Sequence, residues 1–255
     1  MTDRESGMLS KVPAITLAFW IIKIVATTLG ETGGDAVSMS MDLGYAVASV
    51  IFIGIFVVTV AAQIAARAFY PALYWLVIVA TTTAGTTMAD YATRSMGIGY
   101  PGGSALLFAL LMASLLVWYF AAGSVSVERI VSRRVEAFYW VTILFSQTLG
   151  TALGDWMADT NGFGYDGAAL VFGAGLAVIA GAYYLTAISR TLLFWSAFVL
   201  TRPLGATLGD FLDKPIDHGG LALDRYAASG VLALMMIVLV IFAGRSAEQP
   251  ADQTP

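Results

Sequence analysis

A motif that recurs four times along the chain constrains the fold more than any other feature. In each copy a tryptophan is followed, at constant spacing, by a glycine, an aspartate and a second glycine. The copies are Trp20, Gly30, Asp35 and Gly44; Trp75, Gly85, Asp90 and Gly99; Trp140, Gly150, Asp155 and Gly164; and Trp195, Gly205, Asp210 and Gly219. Chance does not produce four such runs, so the chain consists of one ancestral unit used four times.

Composition places these units in a membrane. Of the 255 residues, 58% are hydrophobic and only 12% are charged, which is too apolar for a soluble domain. Apolar segments long enough to cross a ~30 Å hydrocarbon core follow one another along the chain. These segments cover about 14–34, 45–66, 72–92, 103–122, 137–157, 168–188, 192–212 and 221–243. Open sheets leave unpaired groups in lipid, and these runs do not alternate as barrel strands do. The sequence therefore predicts an all-α integral membrane protein with eight transmembrane helices, two from each repeat.

The repeats are expected to form a single membrane domain over 1–245. Its units cover about 12–70, 71–135, 136–190 and 191–244. The first apolar run already contains the first motif, so we interpret it as a span and not as a cleaved signal peptide. Residues 246–255 hold two prolines and no large apolar side chain, which predicts a disordered tail.

The distribution of Lys and Arg predicts that both termini are cytoplasmic. The cytoplasmic face then receives Arg4, Lys11, Arg67, Arg129, Arg133, Arg134, Arg190 and Arg245, against Arg94, Lys214 and Arg225 on the other face. All motif helices would run in one direction, with pseudo-symmetry about the membrane normal. The repeated aspartates would approach the non-cytoplasmic side. The tryptophans are expected in the cytoplasmic interfacial belt, with Tyr45, Tyr100 and Tyr165 at the opposite interface.

Charge and residue usage exclude several classes of function. The net charge is -4, and the sequence has no clustered basic patch of the kind that binds nucleic acid. Cysteine is absent and His218 is the only histidine, which excludes thiolate chemistry and a histidine-rich metal site within one chain. His218 is expected to be an exposed loop residue, although a pH-sensing gate beside Asp217 is an alternative. No nucleophile or phosphate-binding motif is found, so no enzyme activity and no organic cofactor are expected.

The runs Thr148–Asp155 and Thr201–Asp210, each with small residues leading to the aspartate, resemble those of a known family. It is a bacterial family of multi-pass membrane proteins assembled from tandem copies of a repeat of unknown function, often labelled uncharacterised membrane-anchored protein. The resemblance covers the chain from Lys11 to about Gly244. It implies a multi-pass protein of the bacterial cytoplasmic membrane and implies no activity.

Helical periodicity gives each motif helix a polar face. Positions eight, eleven and fifteen residues after the tryptophan lie on that face. The candidate ion-binding carboxylates are Glu31, Asp35, Asp90, Asp155 and Asp210, and the candidate hydroxyl ligands are Thr28, Thr83, Thr86, Thr148 and Thr151. Oxygen ligands of this kind suit hard divalent cations. The fourth copy departs from the pattern with Pro203 and Ala206.

A neighbouring face carries small residues that let helices approach closely in lipid. The helix-packing glycines are Gly30, Gly34, Gly85, Gly150, Gly154, Gly205 and Gly209. We therefore expect the four motif helices to form an inner ring with the other helices around it.

Two basic residues lie inside predicted spans and require partners or water. Lys23 is too far along its helix to reach Asp35, so it either extends toward the cytoplasmic face or projects into the bundle. Arg202 is expected to pair with a repeated carboxylate, and we favour Glu31 because no other copy has an acid there. Both would balance the charge of the acidic site.

These features favour a secondary transporter or exporter of a small ion, specifically a divalent metal cation, bound between the repeats. The alternative from another class is a membrane scaffold or partner subunit whose polar core only fixes the packing of the repeats. An intramembrane enzyme is a third reading, weakened by the lack of a nucleophile and base pair. The lipid bilayer is the expected partner, and a homo-oligomer is left open.

Overall fold

The computed structural model describes residues 11–127, 130, 132–160 and 162–248, without the side chains of His218 and of residues 245–248. These residues form eight long α-helices and no β-strand. The helices are α1 (Leu17–Asp35), α2 (Gly44–Ala65), α3 (Pro71–Asp90), α4 (Gly99–Ala122), α5 (Arg133–Asp155), α6 (Gly164–Leu185), α7 (Arg190–Asp213) and α8 (Arg225–Glu248). Each repeat thus supplies two helices, as predicted. α8 continues to Glu248, so residues 246–248 of the predicted disordered tail are helical. Residues 249–255 lie outside the described residues, as do Arg4 and Arg129.

Local sequence signals set the start of each helix. The side chains of Thr16, Ser132 and Ser189 accept hydrogen bonds from the first turns of α1, α5 and α7, as N-cap residues do. α3 begins with Pro71, whose fixed φ suits a first helical position. The closing glycines of three motifs begin α2, α4 and α6 with φ of +71°, +64° and +66°, a region that favours glycine. In the fourth repeat α8 begins only at Arg225.

Three motif helices do not stop at their aspartate. After Asp35, Asp90 and Asp155 the chain continues for one wider, π-helical turn, over Ala36–Ser40, Tyr91–Ser95 and Trp156–Thr160. The fourth motif helix has no such turn and α7 ends three residues beyond its aspartate. Such turns often occur at functional sites. Here they place side chains just above the aspartates.

The four motif helices form a closed inner ring. α1 contacts α3, α3 contacts α5, α5 contacts α7 and α7 contacts α1. The other helices lie outside this ring: α2 packs on α3, α4 on α5, α6 on α7, and α8 on α1. Each outer helix therefore packs mainly on the motif helix of the next repeat, and the last one closes the circle on the first. The predicted inner ring is confirmed.

The outer helices have the surface of lipid-facing helices. Exposed large apolar side chains cover α2, α4, α6 and α8, for example Val58, Phe120, Leu170 and Val231. Six helices, α2, α3, α4, α6, α7 and α8, are long and apolar enough to cross a membrane. α1 and α5 are buried in the ring, and their glycines, threonines and charged residues lower their mean hydropathy. The chain is accordingly a membrane protein.

Glycines of the ring helices receive side chains from the neighbouring helix. A Cβ at Gly30 would overlap Thr82, one at Gly150 would overlap Arg202, and one at Gly205 would overlap Thr27. A Cβ at Gly85 would come within 2.9 Å of the backbone nitrogen of Thr148. A second layer follows: a Cβ at Gly34 would meet Thr86 at 3.0 Å, one at Gly154 would meet Ala206 at 3.3 Å, and one at Gly209 would meet Glu31 at 2.7 Å. All seven predicted packing glycines thus lie at helix contacts.

The prediction of a tryptophan belt at the membrane interface is wrong for three of the four repeated tryptophans. Trp75, Trp140 and Trp195 are buried, with exposures of 4%, 1% and 6%. They pack in one aromatic cluster with Tyr74 and Tyr139, whose hydroxyls lie 2.6 Å apart. The ring helices have neighbours on all sides at this level, so their aromatic side chains meet each other and not the lipid headgroups. We call this end of the ring the aromatic end.

Candidate functional site

The opposite end of the ring, the acid end, holds the four repeated aspartates. All of them are buried, with exposures of 1% or 2%. The four aspartates do not share one symmetric site. Two basic side chains each contact two of them, which divides the aspartates into two pairs. The aspartates therefore lie inside the protein, away from lipid headgroups.

Arg94 holds the first pair, Asp90 and Asp155. Its Nε lies 3.0 Å from Asp90 Oδ1 and its Nη2 lies 2.9 Å from Asp155 Oδ2. Asp159 lies 3.8 Å from the same Nη2 and accepts hydrogen bonds from the hydroxyls of two tyrosines at the mouth of the ring, Tyr100 and Tyr165. The guanidinium thus bridges two repeats through two different nitrogens, a geometry that fixes its position. Tyr100 is half-buried and Tyr165 is buried. Both side chains are therefore part of the hydrogen-bond network at the acid end and are not simply exposed to the membrane interface.

Lys214 holds the second pair, Asp35 and Asp210. Its ammonium contacts Asp35 Oδ2, lies 3.0 Å from Asp210 Oδ1 and lies 3.8 Å from Asp213 Oδ1. Burial acts to lower the pKa of Lys214, but Asp210, Asp35 and Asp213 outweigh it and hold that pKa well above its ordinary value. Lys214 is therefore a charged ammonium at this site.

Asp213 has a further basic partner. Arg225 Nε lies 2.9 Å from Asp213 Oδ2, which ties the start of α8 to the end of α7. The Arg225–Asp213 pair is charge-neutral. The two repeated aspartates are therefore the principal acidic partners of Lys214.

Arg202 occupies the middle of the ring, below the aspartates. Its Nη2 lies 2.8 Å from Glu31 Oε2 and 2.6 Å from Thr86 Oγ1, and it also donates to Thr151 Oγ1. Glu31, Thr86 and Thr151 occupy the same position in repeats one to three, and Ala206 occupies it in the fourth. One guanidinium therefore contacts the equivalent residue of every other repeat. The predicted pairing of Arg202 with Glu31 is confirmed.

Lys23 projects into the bundle and does not extend toward the predicted cytoplasmic face. It is fully buried, and its Nζ lies 3.8 Å from the centre of the Phe198 ring. No described residue accepts a hydrogen bond from this ammonium. The contact with the ring is a cation–π interaction, which only partly replaces the lost hydration.

The predicted hydroxyl ligands separate into two groups. Thr28, Thr83 and Thr148 each donate to the carbonyl four residues earlier in their own helix, a bond common for threonine in helices. Thr86 and Thr151 accept from Arg202. The five threonine hydroxyls therefore form hydrogen bonds with backbone carbonyls or with the Arg202 guanidinium. The carboxylates remain the candidate ion ligands.

Arg94 and Lys214 were missed as site residues because they follow the motif. Each lies four residues after its aspartate, where Met39 and Asp159 lie in repeats one and three. On a helix this spacing places a basic side chain above the aspartate of its own repeat. A basic residue four positions after the aspartate in repeats two and four was the sequence signal that could have identified them.

Three acids beside Lys214 lie close together in the described part of the chain. Oxygens of Glu31, Asp35 and Asp210, all buried, lie within 4.8 Å of one another. Asp35 Oδ1 and Asp210 Oδ2 accept no hydrogen bond from any described residue. Three carboxylates at this distance have the chemistry and spacing of a site for a hard cation.

A cavity of about 730 Å³ opens at the acid end. Arg94, Lys214, Asp159 and Asp217 are among its lining residues. It therefore reaches both basic side chains that cover the aspartates. The side chain of His218 lies outside the described residues, so its predicted exposure and the alternative of a gate stay predictions.

Comparison with known families gives one match. Four segments of the chain, 18–69, 73–124, 138–189 and 193–248, match the model of the Repeat of Unknown Function (DUF347). These segments agree with the four repeats of the sequence and the structure. No curated protein and no solved structure matches the chain.

Proposed function

The chain belongs to the family of the Repeat of Unknown Function (DUF347), and from its site we propose that it is a secondary transporter or exporter of a divalent metal cation. The observation that carries this proposal is the buried triad of Glu31, Asp35 and Asp210 behind the cavity of the acid end. Ionisable residues within membrane spans are costly and mark ion pathways. Oxygen ligands alone favour a hard cation such as Mg²⁺, Ca²⁺ or Mn²⁺.

Access to the triad differs between the two ends of the ring. At the acid end the cavity reaches Lys214, which contacts two members of the triad. At the aromatic end the ring is closed by buried tryptophans and tyrosines. This arrangement supports one state of an alternating-access cycle, open at the acid end and closed at the aromatic end.

We further propose the orientation and symmetry of the repeats. Both termini lie in the cytoplasm of a bacterium, the acid end faces away from it, and the repeats are related about the membrane normal. The excess of Lys and Arg at the aromatic end supports this orientation. The circular order of contacts, in which each outer helix packs on the next motif helix, supports the symmetry.

Flux measurements in proteoliposomes test the proposal. Purified protein is reconstituted and assayed with Mn²⁺, Mg²⁺, Ca²⁺ and Zn²⁺ and with a pH-sensitive dye for protons. We expect flux of at least one divalent cation, lost in Asp35→Asn and Asp210→Asn. Asp166→Asn, at an exposed position outside the ring, is the matched control and should keep wild-type flux. Wild-type flux in both ring variants, or no cation flux in the wild type, would overturn the proposal.

One observation favours the alternative of a membrane scaffold. Each repeated aspartate and Glu31 has a basic partner, as a polar core that only fixes packing would require. The scaffold predicts that ring variants lose stability and that the wild type moves no ion. The cavity and the unpartnered oxygens of Asp35 and Asp210 favour the transporter.

A further inference from the structure

We propose that a divalent cation binds to Asp35 and Asp210 by displacing the ammonium of Lys214, and we call these two aspartates the lysine pair. Asp90 and Asp155, the arginine pair, stay bound to Arg94 and do not take up a cation. This inference rests on the proposed function, since it assigns the cation site to one of the two aspartate pairs. It also predicts equilibrium binding, which can be measured without transport.

The two basic side chains hold their aspartates in different ways. Arg94 uses two nitrogens of one rigid guanidinium, Nε for Asp90 and Nη2 for Asp155. Lys214 offers a single ammonium on a flexible stem to both Asp35 and Asp210. A rigid fork loses both contacts when it moves, whereas an ammonium can rotate away with little change elsewhere. The lysine pair is therefore the one that can exchange its cation.

Charge around the lysine pair favours a divalent ion. The triad of Glu31, Asp35 and Asp210 faces the fixed guanidinium of Arg202, which pairs with Glu31. With Asp35 and Asp210 both ionised, two negative charges remain, and the single charge of Lys214 neutralises only one of them. A divalent cation in its place neutralises both. A monovalent ion would gain nothing over the ammonium already present.

Free ligand atoms and room for the displaced ammonium are both present. Asp35 Oδ1 and Asp210 Oδ2 are buried and have no hydrogen-bond partner among the described residues. These two oxygens can coordinate an ion without giving up a hydrogen bond of their own. The ammonium of Lys214 can turn into the cavity it already lines, where the exposed Asp217 also lies.

Binding of Mn²⁺ to the full-length protein in detergent, followed by calorimetry and by the Mn²⁺ spin-resonance signal, tests the inference. Lys214→Met removes the competing charge and should tighten Mn²⁺ binding by roughly tenfold or more. Lys214→Arg keeps the charge in a more rigid form and should weaken binding below the wild type. Adding Asp35→Asn to Lys214→Met should abolish the gain.

Asp166→Asn, at an exposed position outside the ring, is the matched control and should leave Mn²⁺ affinity within about threefold of the wild type. Asp90→Asn changes the equivalent aspartate of the pair held by Arg94, and it should lower Mn²⁺ affinity less than Asp35→Asn does. Unchanged or weaker Mn²⁺ binding in Lys214→Met, or an equal loss in Asp90→Asn and Asp35→Asn, would overturn the inference.

Lys214→Met leaves Asp35 and Asp210 without a cation and is expected to lower the melting temperature. Millimolar Mn²⁺ should then raise that temperature more in the variant than in the wild type, because ligand binding stabilises the folded state. No such rescue by Mn²⁺ or Mg²⁺ would also count against the inference. Tight Mn²⁺ binding in Lys214→Met without any flux in proteoliposomes would keep the cation site and remove the transporter.

Discussion

Arg202 Nη2 lies 2.8 Å from Glu31 Oε2 although 171 residues separate the two in sequence. The pair joins the fourth motif helix to the first and so closes the ring. Both side chains are buried, with exposures of 0% and 2%. Each charge in the pair therefore depends on the other for its stability in the bundle.

Removal of one partner of this pair should lower the free energy of unfolding more than removal of both. Glu31→Gln leaves a buried guanidinium without a counter-charge and should destabilise the protein by roughly 3–5 kcal/mol. The double variant Glu31→Gln with Arg202→Met should recover most of that loss. Thermal unfolding in detergent gives the comparison. A double variant no more stable than Glu31→Gln would show that the pair does not act as a unit.

A methyl group at a ring glycine should separate two motif helices. In Gly85→Ala the new Cβ would lie 2.9 Å from the backbone nitrogen of Thr148 and 3.0 Å from the carbonyl carbon of Gln147. Backbone atoms cannot rotate away as a side chain does, so we expect a loss of roughly 1–3 kcal/mol. Gly33→Ala is the control, because its Cβ would meet nothing within 4 Å. Equal melting temperatures for the two variants would contradict the close approach.

Lys23 should be a site where a neutral residue improves stability. Its ammonium is buried and finds no hydrogen-bond acceptor among the described residues. Lys23→Met keeps the length of the side chain and should stabilise the protein by roughly 1–3 kcal/mol, the cost of a buried donor without a partner. Lys11→Met should do the opposite, because Lys11 Nζ lies 2.9 Å from Glu136 Oε2. If both variants lower the melting temperature, Lys23 has a partner in solution.

Much of the ring could be predicted from the sequence because its contacts repeat. The glycines that form the helix contacts, such as Gly30 and Gly150, lie on one helical face in every copy. Periodicity therefore indicated which helices pack together. The Arg202–Glu31 pair was also accessible, since each residue breaks the repeat pattern with a charge.

The features that sequence reasoning missed arise where repeats differ or where rules for lipid contact do not apply. Arg94 and Lys214 occur in alternate repeats, so symmetry did not point to them, and only the folded ring brings each one between two aspartates. Trp140 was placed at the membrane interface because tryptophan is common there. In the ring it is enclosed by Tyr74 and Tyr139, and no lipid reaches it.

The proposed orientation predicts which loops are accessible from outside the cell. Because the chain has no cysteine, a single introduced cysteine reports one position. Ser95 and Asp217 are exposed at the acid end, and Ala68 and Ala187 are exposed at the aromatic end. In intact cells a membrane-impermeant maleimide should label Ser95→Cys and Asp217→Cys, whereas Ala68→Cys and Ala187→Cys should react only after the membrane is opened. Labelling of the second pair in intact cells would invert the orientation and place the cavity on the cytoplasmic side, so that the cation would enter the triad from the cytoplasm.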